Sequence, residues 1–175
     1  MLHLMALATL SAATTAIVDV SVIHPGSTHI AQHQNVVVQG DRIVSVDHSP
    51  PPRNARVVNA KGKYLIPGLW DMHVHWYERE LFGLFTANGV TGIRQMFGAP
   101  ELLKFRKEVE AGKLLGPRMV VGSAIVDGPQ AFWEGSISAG SAEKGRAVVR
   151  IIKAKGYDFV KSLFVPATRR LLRNS

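Results

Sequence analysis

The stretch LIPGLWDMHVHW, residues 65–76, places two histidines, His73 and His75, one residue apart at the end of an apolar run. On a strand, side chains two apart point to one face. The spacing therefore predicts that His73 and His75 project together, with Asp71 on their face and with Met72 and Val74 directed the other way into an apolar layer. Two imidazoles held like this can bind one ion together, because neutral ring nitrogen is a good ligand for zinc and similar metals. The same pair also reads as a polar strand edge or a hydrogen-bonded couple, since a chain with seven histidines forms a chance His-x-His easily. The surrounding chain separates these readings.

Upstream, AIVDVSVIHPG (residues 16–26) alternates and then turns, and NVVVQGDRIVSV (35–46) reads as two short strands joined at Gly40-Asp41, a hairpin signal. Pro50, Pro51 and Pro52 break the pattern, and ARVVNAKGKYLIPG adds short strands before Pro67-Gly68. From Leu69 the texture changes to apolar strands alternating with helical stretches. LWDMHVH, GVTGIRQMFG, RMVVGSAIVDG and YDFVKS are separated by YERELFGLFTAN, PELLKFRKEVEAGKL and AEKGRAVVRIIKAKG. Strand and helix in succession are the signature of a parallel α/β domain, with strands predicted near 69–75, 90–96, 118–126 and 158–162. Pro100 suits a first helical position, and Leu102, Phe105 and Val109 recur at helical spacing. Ser141 is an N-cap residue, Gly156 a stop, and Val148, Ile151 and Ile152 share a face. Both helices are expected to cover a sheet.

Composition bounds the remaining possibilities. With 46% apolar and 19% charged residues the chain is globular in composition and long enough for a real core. No apolar run is long enough for a membrane-spanning helix, no membrane partner is expected, and the absence of cysteine excludes a disulfide framework and thiolate metal sites. Residues 1–16, MLHLMALATLSAATTA, read either as a leader with small-residue cleavage positions at Ala13 or Ala16 or as a first buried strand or helix. A leader implies a periplasmic or secreted protein, and its absence a cytoplasmic one. The net charge of +8 is confined to the end: residues 1–143 carry 12 basic and 12 acidic side chains, whereas 144–175 carry 9 basic residues and only Asp158. A basic tail with Arg169, Arg170 and Arg173, without a phosphate loop or nucleic-acid motif, reads as a solvated face, and no nucleic acid is expected as a partner.

With these elements in place, KGKYLIPGLWDMHVH (61–75) resembles the opening of the amidohydrolase superfamily, in the branch similar to imidazolonepropionase and Xaa-Pro dipeptidases. VDVSVIHPG and NVVVQGDRIVSV resemble the strands that begin those enzymes. The resemblance covers roughly residues 17–162. It implies an α/β chain in which part of a small β-sandwich (17–66) precedes about the first four strands of a (β/α)₈ TIM-type barrel (67–162), followed by a basic tail (163–175).

The resemblance also implies a site. His73 and His75 would hold a divalent metal, zinc above all, in a centre of one or two ions, and Asp71 would either orient a ligand or act as an ordinary turn residue. YDFVKS matches the place where family members carry a lysine carboxylated by carbon dioxide, which makes Lys161 a third metal ligand. Carboxylation requires the neutral amine, which desolvation and nearby positive charge favour. The reaction implied is metal-assisted hydrolysis of a carbon–nitrogen bond in a small amide or a dipeptide. Family members add two later histidines and a late aspartate, yet SLFVPATRRLLRNS, after Lys161, contains no histidine or acidic residue. A barrel of this kind takes about 250 residues, and 109 remain from Pro67 onward. The chain is thus expected to correspond to an N-terminal portion of such an enzyme and to be inactive as it stands. Two other classes stay open: a catalytically dead binding or assembly module that self-associates through open barrel edges, and a small basic nucleic-acid-binding protein.

Overall fold

A computed structural model describes residues 13–163, and the chain divides into two compact units, Met1–Pro67 and Gly68–Ser175. The first unit holds β1 (Thr14–Ile23), β2 (Ile30–Gln39), β3 (Arg42–Asp47), β4 (Arg56–Asn59) and β5 (Tyr64–Leu65). They form one sheet in the order β3-β2-β1-β4, with β5 also paired to β1. The β2–β3 hairpin turns at Gly40-Asp41, where Gly40 takes a φ of 60° that a side chain would resist. β1 runs antiparallel to β2 and parallel to β4, and Val20, Val22, Val36 and Ala60 close a small core. Of the expected leader, residues 1–12 lie outside the described residues. Ala16 sits fully buried within β1, paired to Val37 and Val57, so the second of the two cleavage positions falls inside the sheet.

The second unit opens with β6 (Leu69–Val74), followed by a 3₁₀ turn at Arg79–Leu81, α1 (Phe82–Ala87), β7 (Val90–Gln95), α2 (Pro100–Glu110) and β8 (Arg118–Val121). Two short strands, β9 (Val126–Asp127) and β10 (Ile137–Ser138), precede α3 (Ala142–Lys155). β6, β7 and β8 form a parallel sheet in that order. Their shared core contains Val74, Ile93, Met119 and Val121 together with Phe82 of α1 and Leu102 of α2. Phe105 and Val109, expected on the face of Leu102, pack against the same cluster. Ser141 caps α3 by accepting the Lys144 N–H, and Gly156 ends it in the left-handed region at φ 84°. Among the described residues no helix is long and apolar enough to cross a membrane.

Several expectations need correction. The strand predicted over 118–126 ends at Val121. Gly122 then donates its N–H to the Gln95 carbonyl and lies against the Phe159 ring, and β9 pairs with β10, two strands that the sequence pattern did not predict. The segment 158–162 is not a regular strand: it meets its neighbours in two isolated parallel bridges, Gly122 to Phe159 and Val126 to Ser162. Side chains interrupt its ladder, because the Asp158 carboxylate takes the Val121 N–H and the Ser123 hydroxyl takes the Lys161 N–H. Met72 is 52% exposed, while Val74 enters the core as expected. On α3, Ile152 is buried but Ile151 is 53% exposed.

Candidate metal centre

His73 and His75 stand at the C-terminal end of β6. Their rings stack with centroids 5.2 Å apart, and their Nε2 atoms share a hydrogen bond at 3.1 Å, the hydrogen-bonded couple that the sequence also allows. Burial, then the nearby charges of His73 and Lys161, hold the His75 pKa below its ordinary value of 6.5. The neutral ring, the form that binds a metal, is therefore favoured. Asp71 does something other than share their face in strict alternation. Between Asp71 and Val74 the pairing with β7 shifts register, and Asp71 Oδ1 accepts the His73 N–H at 3.0 Å. Its carboxylate thus fixes the backbone of the first histidine, as a turn residue does.

Three side chains that the sequence reading did not single out hold the surroundings in place. Gln95 ends β7 with no exposed surface, accepts the Trp76 N–H at 3.1 Å and donates to the Trp76 carbonyl at 2.9 Å. The peptide next to His75 is thereby clamped to the neighbouring strand. Ser123, also fully buried, accepts the Lys161 N–H at 3.0 Å and donates to the Ala124 carbonyl at 2.7 Å. Asp158 accepts from Arg106 of α2 at 2.6 Å and from the Val121 N–H at 2.7 Å, while Arg106 also reaches the Gly156 carbonyl. These bonds add to the backbone bonds from the Ser123 N–H to the Phe159 carbonyl and from the Val126 N–H to the Lys161 carbonyl in presenting Lys161. A polar residue such as Gln95 at the end of an apolar strand, or Asp158 three residues before a candidate lysine, is the signal the sequence offered.

His73, His75 and Lys161 line one open cavity of about 540 Å³, with Phe97, Ile125 and Trp133 among its walls. Tyr77 also borders it and donates its hydroxyl to the Phe97 carbonyl at 2.8 Å; burial pushes this hydroxyl above its usual range, which keeps it protonated. Among the described residues no group of three or more His, Cys, Asp or Glu side chains converges as a metal cluster. The arrangement offers two imidazoles and one amine.

No protein-family model and no curated protein matches the chain. Solved structures do. An amidohydrolase aligns at 22% identity and a TM-score of 0.72 over 85% of this chain and 46% of its own. A Xaa-Pro dipeptidase with methionine bound in its active site aligns at 20% and 0.67, over 86% and 47%. Bottromycin amidohydrolase aligns at 24% and 0.73, over 92% and 36%. The likeness is one of fold, to amidohydrolase and prolidase structures, and the chain spans less than half the length of each.

Proposed function

We propose that the chain carries part of a metal-dependent amidohydrolase site, on the first βα units of a (β/α)₈ barrel, that cleaves the carbon–nitrogen bond of a small amide or a dipeptide. The observation that carries this reading is the convergence of two imidazole Nε2 atoms, 3.1 Å apart, in the cavity that Lys161 also lines. Two such nitrogens on one tetrahedral zinc, each at about 2.0–2.1 Å, lie roughly 3.3 Å apart, so the pair fits an ion with little movement. A divalent ion there, zinc by donor chemistry, would supply Lewis-acid charge to a carbonyl and make water more acidic. His73 and His75 would hold it as neutral ligands, with the peptide after His75 fixed by the Gln95 clamp. The neutral Lys161 amine would add to carbon dioxide, an N–C bond forming as one C–O π pair moves to oxygen and the amine's proton passes to water, and the carbamate would offer oxygen donors in the cavity that Lys161 lines.

Two imidazoles are fewer than the three protein ligands of a catalytic zinc site, and a Lys161 carbamate would depend for its own stability on a metal already held there, so these residues by themselves should bind metal weakly and turn over little. The test is to assay the purified chain with zinc, manganese or cobalt and bicarbonate against dipeptides and N-acyl amino acids. Rates at background are expected. Turnover that disappears in His73→Ala would contradict the inactivity and point to a site completed by association.

A second reading, as an assembly module, rests on β6. It is the outer strand of its sheet, and Leu69, Trp70 and Met72 are 51, 42 and 52% exposed. A free edge with apolar side chains invites pairing with a second copy. Light scattering across a concentration series should then show a dimer or larger species; a strict monomer rules the module out.

A further inference from the structure

Between β9 and β10 the chain makes an excursion whose tip carries two exposed aromatic side chains, Phe132 and Trp133, packed edge to face with centroids 5.2 Å apart. A pair of exposed aromatics on a loop is a candidate contact surface, because binding residues are disproportionately carried by loops. Here the loop is braced from below. Asp127, only 7% exposed, accepts the N–H groups of Gly128 at 2.8 Å and Phe132 at 3.2 Å through its two carboxylate oxygens. The Ile137 N–H bonds to the Ile125 carbonyl, the Ala139 N–H to the Asp127 carbonyl, and the Ser136 N–H to the Trp133 carbonyl. A buried carboxylate that accepts two loop amides holds the tip in place, and Trp133 of that tip lines the cavity of His73, His75 and Lys161.

We propose that Trp133 is the specificity wall of this cavity, and that the ligand it selects is a small amide bearing a flat aryl group next to the amide carbonyl. The inference rests on the hydrolase reading for the role of the amide, but the selection itself depends only on the wall. The cavity is lined by polar groups, the two imidazoles and the lysine, and by apolar surface from Phe97, Ile125 and Trp133, with the Phe97 ring set edge-on to His75 at 6.4 Å between centroids. A ligand that satisfies both kinds of wall has a polar amide and an apolar substituent close together within one small molecule. The open space of about 540 Å³ is large enough to admit such a ligand. Indole offers a rigid face at low entropic cost, which makes it a good platform for a planar group. Trp133 is 53% exposed, so part of its surface is open to a ligand.

The experiment compares N-benzoylglycine with N-acetylglycine on the full chain by NMR titration, in the wild type, Trp133→Phe and Trp133→Ala, with circular dichroism to check the fold. The benzoyl compound should bind about tenfold tighter than the acetyl compound in the wild type, the order expected for burying that much more apolar surface. Trp133→Phe should keep most of the preference and Trp133→Ala should reduce it to about twofold or less. A preference unchanged in a folded Trp133→Ala, or no preference in the wild type, overturns the proposal. A parallel zinc titration of His73→Ala separates the two readings. Zinc binding unaffected by that change sinks the metal site and leaves the benzoyl preference to be judged on its own.

Discussion

At the scale of single residues, the site depends on side chains that hold the backbone more than on the ones that face the cavity. Gln95 is the sharpest case. It is fully buried and satisfies both the N–H and the carbonyl of Trp76, so Gln95→Leu would leave two backbone groups unpaired inside the protein. A buried group stripped of its partner costs roughly 1–3 kcal/mol. The expected outcome is a loss of about 2–4 kcal/mol in urea unfolding, together with weaker metal binding because His75 loses its anchor. A variant as stable as the wild type would show that the clamp is not holding the segment. The two histidines were legible as a pair because a period of two is a property of sequence. The role of Asp71 was not: the register shift between Asp71 and Val74 is set by pairing with β7, which lies some twenty residues away along the chain. Ser123 and Trp133 escaped for the same reason, since each acts through contacts distant in sequence.

At the scale of elements, periodicity carried the helices well. Leu102, Phe105 and Val109 meet the core as their spacing predicts, and Ser141 and Gly156 bound α3. Leu102 has no exposed surface and lies among Phe82, Ile93, Met119 and Val121. Leu102→Ala should destabilise the second unit by about 2–5 kcal/mol, from lost transfer energy plus the cavity left behind; calorimetry that finds under about 1 kcal/mol would mean α2 does not seal this core. The strands were read less well. Apolar runs such as RMVVGSAIVDG look continuous, but Gly122 admits the Phe159 ring and stops β8, and side-chain acceptors at Ser123 and Asp158 replace ladder bonds in the segment that carries Lys161. Competition from Ser and Asp side chains for backbone N–H groups is weakly encoded in composition. The register of Lys161 toward the cavity therefore rests on two clamps and two isolated bridges.

At the scale of the molecule, the succession of a β-rich region and a run of parallel βα units was legible from texture alone, and the likeness to amidohydrolase and prolidase structures agrees with it. The chemistry of the whole turns on whether the His73–His75 pair takes a metal, and the most direct measurement is a cobalt(II) titration of the full chain followed by visible absorption across pH. Protons compete for the same nitrogens, and the His75 pKa is already held below 6.5 by burial and by its charged neighbours. Binding should therefore be present at neutral pH and fall away as the pH drops below the ordinary histidine range. With two imidazoles it should be weak, saturating at high micromolar cobalt or above, and it should be absent from the His73→Ala, His75→Ala double variant. A tight stoichiometric site that survives the double substitution would contradict the account, because the metal would then be held by other residues.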